Sequence, residues 1–244
     1  MSEEKIFLSV VSPAFNEEEN IENVVRYWSK ILDEDGLSGE IVITDDGSSD
    51  KTGTILSKLK EEIGNLVIVT HVKNLGYGKA LSDAIENSKG EYVVSLDSDG
   101  QFDLKEYKFL FEEMKKGNFD IVTGYRFKKK DTIFRSFANN GLNFIVKFIM
   151  GVRFKDANCA FKLYKGEVIR KINIESRGFP TPTEILVKAR NLGFTIGESG
   201  ITHYERKAGE TKLKAFKAIY QITLFLLYLR FKVFLFRAKV INSI

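Results

Sequence analysis

The stretch VVSLDSDGQF, residues 93–102, decides how the chain is to be read. Its first four residues are apolar or small, and they read as the end of a buried strand. Asp97 and Asp99 follow, one serine apart, and then Gly100 and Gln101. Two carboxylates this close repel each other, so a compensating partner is needed. Solvation in a polar turn is one answer, because Asp, Ser and Gly favour turns. A divalent cation is the other, because hard cations prefer oxygen ligands.

Working outward, apolar runs ending in polar clusters recur. Strands are expected over 6–11 (IFLSVV), 40–45 (EIVITD), 65–72 (NLVIVTHV), 91–96 (EYVVSL) and 119–124 (FDIVTG). Helices are expected between them. In the first, Ile21, Val24, Val25, Trp28, Ile31 and Leu32 keep helical spacing, with Asn16 as cap and Glu17, Glu18 and Glu19 in the first turn. Others are expected over 51–63, 79–88 and 104–116, and later over 183–192, with a last strand near 195–204. This alternation predicts an α/β fold, a mostly parallel sheet with helices on both faces. Ligands bind such sheets at the carboxyl ends of the strands. Those ends are where SPAFNEEE, TDDGSSD, KNLGYGK, DSDGQ and GYR fall. One polar loop means little; five on one rim point to a binding crevice.

Composition narrows the class. With 244 residues and 43% apolar side chains, the chain can bury a sizeable core. The single cysteine, Cys159, permits no intrachain disulfide and reads as a packed small residue. The acidic start MSEEKIFLSVV has no basic and apolar signal-peptide pattern. Gly76-Tyr77-Gly78-Lys79 lacks phosphate-loop spacing, and no G-x-G-x-x-G follows the first strand, which argues against a nicotinamide dehydrogenase. His71 reads as structural and His203 as a site-lining residue, without a second His/Cys set for zinc.

On the chemical reading, Asp97, Asp99 and Gln101 reach one Mg²⁺ or Mn²⁺, which takes its remaining ligands from substrate phosphates. A nucleoside-diphosphate sugar would supply them, and the cation would stabilise the diphosphate leaving group. PAFNEEENI (13–21), ITDDGSSDKT (43–52), KNLGYGKA (73–80), LDSDGQF (96–102) and GYR (124–126) resemble, in order and spacing, the family 2 glycosyltransferases of the GT-A fold. DANCAFK (156–162) is similar to the D-x-x-C-G-F-K of polyprenyl-phosphate sugar synthases, dolichyl-phosphate mannose synthases included. RKAGETK (206–212) is similar to their R-x-x-G-x-S-K. Ala160 for glycine, Thr211 for serine and Gly100 for an apolar residue are the departures.

The resemblance implies a Rossmann-like GT-A catalytic domain over 1–212, with C-terminal amphipathic helices over 213–244. It implies an inverting, metal-dependent transfer of a sugar from a nucleotide-sugar, GDP-mannose first and a UDP-sugar second, to a polyprenyl or dolichyl phosphate. Asp97, Asp99 and Arg206 become the catalytic set, and Asp97, Asp99 and Gln101 the metal set. The nucleotide would be held by Pro13, Ala14, Phe15, Glu17, Asp45, Asp46, Asn74, Lys79 and Ser98. Arg126, Arg135, Arg206 and Lys212 would hold phosphates, where guanidinium groups suit bidentate contacts. Asp50 or Ser49 is expected to cap a helix.

Relatives that act on hydroxyl acceptors carry an E-D base motif and Q-x-x-R-W. Here the only tryptophan is Trp28, and the only Glu-Asp pair is Glu34-Asp35, in an early loop. A hydroxyl needs a base to become a nucleophile. A phosphate monoester, with a second pKa of about 6, does not. The rival enzyme reading keeps a glycan or other hydroxyl acceptor, with Asp156 or Glu184 as base. A rival of another class is a non-catalytic nucleotide- or membrane-binding module.

From Lys207 to Ile244, eight Lys/Arg face one acid, Glu210, a segment charge of +7 against +4 for the whole chain. Seven Phe/Tyr lie in 216–236, but Ile219–Leu229 is only eleven residues long, and a span needs about 20. The pattern fits a helix lying in a lipid interface, with packing on the domain or in an oligomer as the alternative. It is too apolar for a nucleic-acid arm. The expected place is the cytoplasmic face of a membrane, or the cytoplasm.

Overall fold

The computed structural model describes residues 5–129, 146–151, 153–205 and 215–244. Seven strands form one sheet: β1 (Leu8–Ala14), β2 (Gly39–Asp45), β3 (Leu66–Thr70), β4 (Tyr92–Ser95), β5 (Ile121–Lys129), β6 (Lys162–Lys165) and β7 (Ile196–His203), in the order β3-β2-β1-β4-β6-β5-β7. β1 pairs parallel with β2 and β4, β2 with β3, and β5 with β7. The sequence pattern missed β6. It runs antiparallel between β4 and β5, so β5 keeps the direction of β4 and its GYR end reaches the common rim. KLYK is too short and too charged to read as a core strand, yet Lys162, Leu163 and Tyr164 are buried.

The sheet is covered on both faces. On one lie α1 (Ile21–Glu34), α2 (Thr52–Glu62) and α4 (Tyr107–Gly117), with Trp28 fully enclosed. On the other lie α3 (Tyr77–Glu86), α5 (Gly166–Ile169) and α6 (Thr181–Asn191). A third cluster seats the long C-terminal helix α7 (Ala215–Arg237) on the domain, through Ile222, Leu226, Leu229 and Val233 against Val146, Ile149 and Val187. Tyr220, Leu224, Leu227, Tyr228, Phe231 and Phe234 are exposed on the same helix. It is therefore apolar toward the domain and away from it, where one apolar face was expected. No helix of the described residues is long and apolar enough to cross a membrane.

The first helix starts later than expected. Asn20 is its N-cap, and Asn16 has a positive φ of 54°. The acidic run preceding the helix is spent on a neighbouring loop. Asn16 N donates to Ser48 Oγ, Glu17 N to Thr52 Oγ1 and Glu18 N to Asp50 Oδ2, while Ser49 N donates to Asn16 Oδ1. These bonds tie the polar ends of β1 and β2 into one block. Asp50 also accepts from Thr52 N at 2.9 Å in the expected turn, but the N-cap of α2 is Lys51, without a side-chain cap bond, and neither Asp50 nor Ser49 takes that position.

β1 extends further than its apolar run because β2 pairs with it as far as Ala14↔Asp45. β4 pairs with β1 only to Val11↔Ser95. Beyond that point β1 lies beside β2 alone, so Pro13, which has no N–H to give, fits in a strand at the centre of the sheet.

Candidate active site

The truncation of β4 opens a cavity of about 410 Å³ beside the end of β1. Its walls carry Pro13, Ala14, Phe15 and Glu17 from β1 and its loop, and Asp97, Ser98 and Asp99 after β4. Asp46 and Asn74 close one side. Nine of the residues expected to bind nucleotide or metal thus meet in one space. Asn158, Ala160, Tyr77 and the Arg177–Phe179 segment complete it. Sequence reasoning had not placed Tyr77 or Arg177–Phe179. A Gly/Pro-punctuated run before a helix was legible in RGFPTP, but nothing in the chain's order places it opposite β1.

Asp97 answers the charge question raised by its motif. Its Oδ1 is buried and without a hydrogen-bond partner. Burial pushes the carboxyl up to about 7, and the Asp99 charge adds to the shift. The Tyr77 hydroxyl, Arg126 and Lys162 oppose it without cancelling it. Lys162 is itself buried, donates to the Cys159 carbonyl, and is brought down to about 8 by desolvation. An orphaned, sealed carboxylate oxygen beside a second carboxylate is the donor set a hard divalent cation requires. Among the described residues no three His/Cys/Asp/Glu side chains form a complete cage. That suits an ion completed by substrate oxygens, so the site fits Mg²⁺ or Mn²⁺ on Asp97 and Asp99.

The turn itself is rigid. Ser98 Oγ donates to the Pro13 carbonyl at 3.0 Å, and Gln101 N to Asp99 Oδ1 at 3.1 Å. Gly100 has φ +74°, so an apolar side chain here would be strained.

Other expected residues lie elsewhere. Asp46 lines the cavity, but its oxygens accept from Leu75 N, Gly76 N and His71 Nδ1, at 2.7 to 2.9 Å, and so shape the loop. His71 bridges Asp46 and Asp83. Burial works against its charge, but the two carboxylates outweigh it and its pKa is raised. Asp45 does not line the cavity; its Oδ1 accepts from Ser48 N and holds the turn. Lys79 pairs with Asp83 on α3, and Gln101 Nε2 donates to the Tyr204 carbonyl, both outside the lining. Arg126 forms a two-pronged pair with buried Asp156, at 2.6 and 3.1 Å. His203 packs its ring edge-on against Phe102 and is not in the lining. Cys159 is buried, as expected, with its thiol pushed up to about 11. Arg135, Arg206 and Lys212 lie outside the described residues.

The glycines of KNLGYGK have a packing role. A Cβ on Gly78 would stand 1.8 Å from the Ser176 carbonyl oxygen, and one on Gly76 would stand 2.2 Å from that of Arg177. The loop that carries Gly76 and Gly78 and the 176–179 wall therefore touch backbone to backbone. Gly78→Ala is expected to push the wall outward and weaken nucleoside-diphosphate binding by about tenfold, on the scale of ~1–3 kcal/mol for overpacking. Calorimetric titration against the wild type checks this.

The comparisons agree with the geometry. Residues 9–175 match the family described as Glycosyl transferase family 2. A dodecaprenyl-phosphate galacturonate synthase of Rhizobium johnstonii is 27% identical over 236 residues, 92% of this chain and 68% of that protein. A dolichyl-phosphate β-glucosyltransferase of Trichomonas vaginalis is 31% identical over 85% of this chain and 69% of its own length. An undecaprenyl-phosphate 4-deoxy-4-formamido-L-arabinose transferase of Edwardsiella ictaluri is 29% identical over 87% of this chain and 65% of its own. The chain thus spans about two thirds of the length of these relatives. Among solved structures, glucosyl-3-phosphoglycerate synthase of Mycobacterium tuberculosis, with Mn²⁺ and UDP-glucose, superposes with a TM-score of 0.69 at 20% identity, covering 92% of this chain and 79% of that one. That likeness carries the fold. The chain belongs to glycosyl transferase family 2, and its sheet is a GT-A fold.

Proposed function

We propose that the protein moves a sugar, with inversion, from a nucleoside-diphosphate donor to a polyprenyl or dolichyl phosphate. The observation that carries this reading is the orphaned Asp97 Oδ1, sealed beside Asp99 in a cavity with aromatic walls. Asp97 and Asp99 would hold the divalent cation, Mg²⁺ or Mn²⁺. When bound, the cation neutralises the charge that develops on the diphosphate leaving group. Phe15 and Phe179, each roughly two-fifths exposed, line the cavity and are proposed to contact a nucleobase or sugar. Pro13 and Glu17 complete the nucleoside side. Arg126, Arg206 and Lys212 are proposed for the phosphates through their place in GYR and RKAGETK, and Arg135 as a further cation of the same chemistry.

For a hydroxyl acceptor the two acids considered as base are Glu184 and Asp156. Glu184 has no exposed surface; it accepts from the Glu175 and Ser176 amides and pairs with Lys188. Asp156 is committed to Arg126. Neither is placed as a general base for a hydroxyl, whereas an ionised lipid phosphate attacks without one. The acceptors in the relatives' names support the same class.

For the donor, the sequence reading put GDP-mannose first. Those relatives are named for galacturonate, glucose and 4-deoxy-4-formamido-L-arabinose, none of them mannose, which favours a sugar other than mannose. The exposed aromatic and leucine side chains of α7 are proposed to rest on a lipid surface.

Titration with GDP, UDP and GDP-mannose, with and without Mn²⁺, tests the donor. Transfer onto polyprenyl phosphate against the free polyprenol tests the acceptor. Metal-dependent nucleotide binding and transfer to the phosphate alone are expected. Equal transfer to the alcohol would sink the acceptor reading.

A further inference from the structure

We infer that Lys232, on the C-terminal helix, is a positioning residue for the donor cavity, acting through Glu175. The inference rests on reading that cavity as the nucleotide-sugar site. Lys232 does not line it. Its Nζ lies 2.6 Å from Glu175 Oε1, and Glu175 Oε2 lies 2.6 Å from Lys188 Nζ. Lys188 also donates to the Asn173 carbonyl at 2.7 Å and pairs with Glu184 at 2.8 Å. Glu184 in turn accepts from the Glu175 and Ser176 amides, both at 2.9 Å. Lys188 and Glu184 have no exposed surface.

The four side chains are two acids and two bases, so the cluster is neutral, and removing any one of them leaves a net charge. It joins three parts of the fold. Glu184 and Lys188 stand on α6, Glu175 begins the wall, and Lys232 comes from α7. The next residues, Arg177, Gly178 and Phe179, face the cavity. The Ser176 and Arg177 carbonyls press on Gly78 and Gly76, so a shift of the wall reaches the loop that carries Asn74 and the amides held by Asp46. Without Lys232, one ammonium must serve two carboxylates, and Glu175 gains a reason to turn toward water. A half-satisfied buried polar network is a source of displacement. Lys232 sits between Leu229 and Val233, which are buried against the domain, and the exposed Phe231 and Phe234. The seating of α7 and the position of the donor wall are therefore one mechanical unit.

The test uses the full chain with Lys232→Met and Lys232→Arg. Lys232→Met keeps the apolar stem at a partly exposed position, so the fold persists. Nucleoside-diphosphate binding with Mn²⁺, measured well below the melting transition, is expected to weaken about 5- to 10-fold in Lys232→Met, the range for network substitutions. Lys232→Arg is expected to restore it to within about twofold, because it keeps the ion pair. Hydrogen exchange at Glu175 and Ser176 should quicken in Lys232→Met only. Wild-type affinity in Lys232→Met, or an equal loss in Lys232→Arg, would overturn the inference. If the wild type itself bound no nucleotide, the reading of the cavity would fail instead. The exchange measurement would then decide alone, and unchanged exchange over 173–179 would refute the linkage.

Discussion

Replacing Asp99 by alanine is expected to lower kcat/KM for sugar transfer by at least about 10²–10³-fold, the scale of losing one preorganised charge-stabilising group. The fold should survive, because Asp99 is only partly buried at the rim. Asp97→Asn is the sharper companion. It should be as inactive, yet more stable than the wild type in metal-free solution near neutral pH. Asp97 keeps a sealed oxygen without a partner and a carboxyl pushed up to about 7 by burial. The sign is fixed by that shift. In the unfolded chain the group loses its proton near pH 4; in the folded chain it holds it to about 7. The native state therefore binds more protons between these values, and stability declines as pH rises through the window. Metal-free wild type should melt at a lower temperature at pH 8 than at pH 5.5. Asp97→Asn should lose most of that slope, and Mn²⁺ with nucleotide should reverse it in the wild type by binding only the ionised form. Melting curves with and without the ion measure all three. A pH slope unchanged in Asp97→Asn would show that another group sets it.

Lys188→Met is expected to have the largest effect on stability, about 3–5 kcal/mol, because it leaves Glu184 charged and enclosed with no cation. Glu175 would lose one of its two partners in the same change. The double variant Glu184→Gln/Lys188→Met should recover part of the loss, since an uncharged pair carries no unpaid desolvation. Denaturant unfolding of the three proteins tests this. A loss below about 1 kcal/mol in the single variant, the range of exposed pairs, would mean that the pair is solvated in solution. Transfer activity should fall with stability, because Glu184 also holds the Glu175 and Ser176 amides beside the Arg177–Phe179 cavity wall.

Much of the site was legible in the order of residues. An apolar run that stops at Asp97-Ser98-Asp99 can only be a strand ending in a polar turn, and parallel neighbours bring their own ends to the same rim. Strand-end reasoning gave the rim and the Asp97/Asp99 pair, the family resemblance named Pro13, Phe15, Glu17, Asp46, Asn74 and Ser98, and the cavity is lined by all of them. Other side chains were of the right kind but are held elsewhere. Asp45 serves its own turn, Lys79 pairs with the acid one helical turn ahead, and Gln101 turns to the Tyr204 carbonyl. Local hydrogen-bond competition decides among near neighbours, and sequence position alone does not reveal its outcome.

What the sequence by itself determined is the period-two and period-3.6 patterning, and with it the parallel α/β sheet and the rim on which the chemistry sits. Those features depend on neighbours along the chain. The tertiary structure decided what depends on approach between distant segments. It inserted Lys162–Lys165 as an antiparallel strand, because burial in a sheet overrides a charged composition. It used Gly76 and Gly78 to let the 176–178 backbone close the cavity. It sealed Asp97 Oδ1 from solvent and tied Lys232 of the C-terminal helix to Glu175, at the start of the cavity wall. Burial and ion pairing are properties of packed surroundings, and a one-dimensional pattern records the residue but not what encloses it.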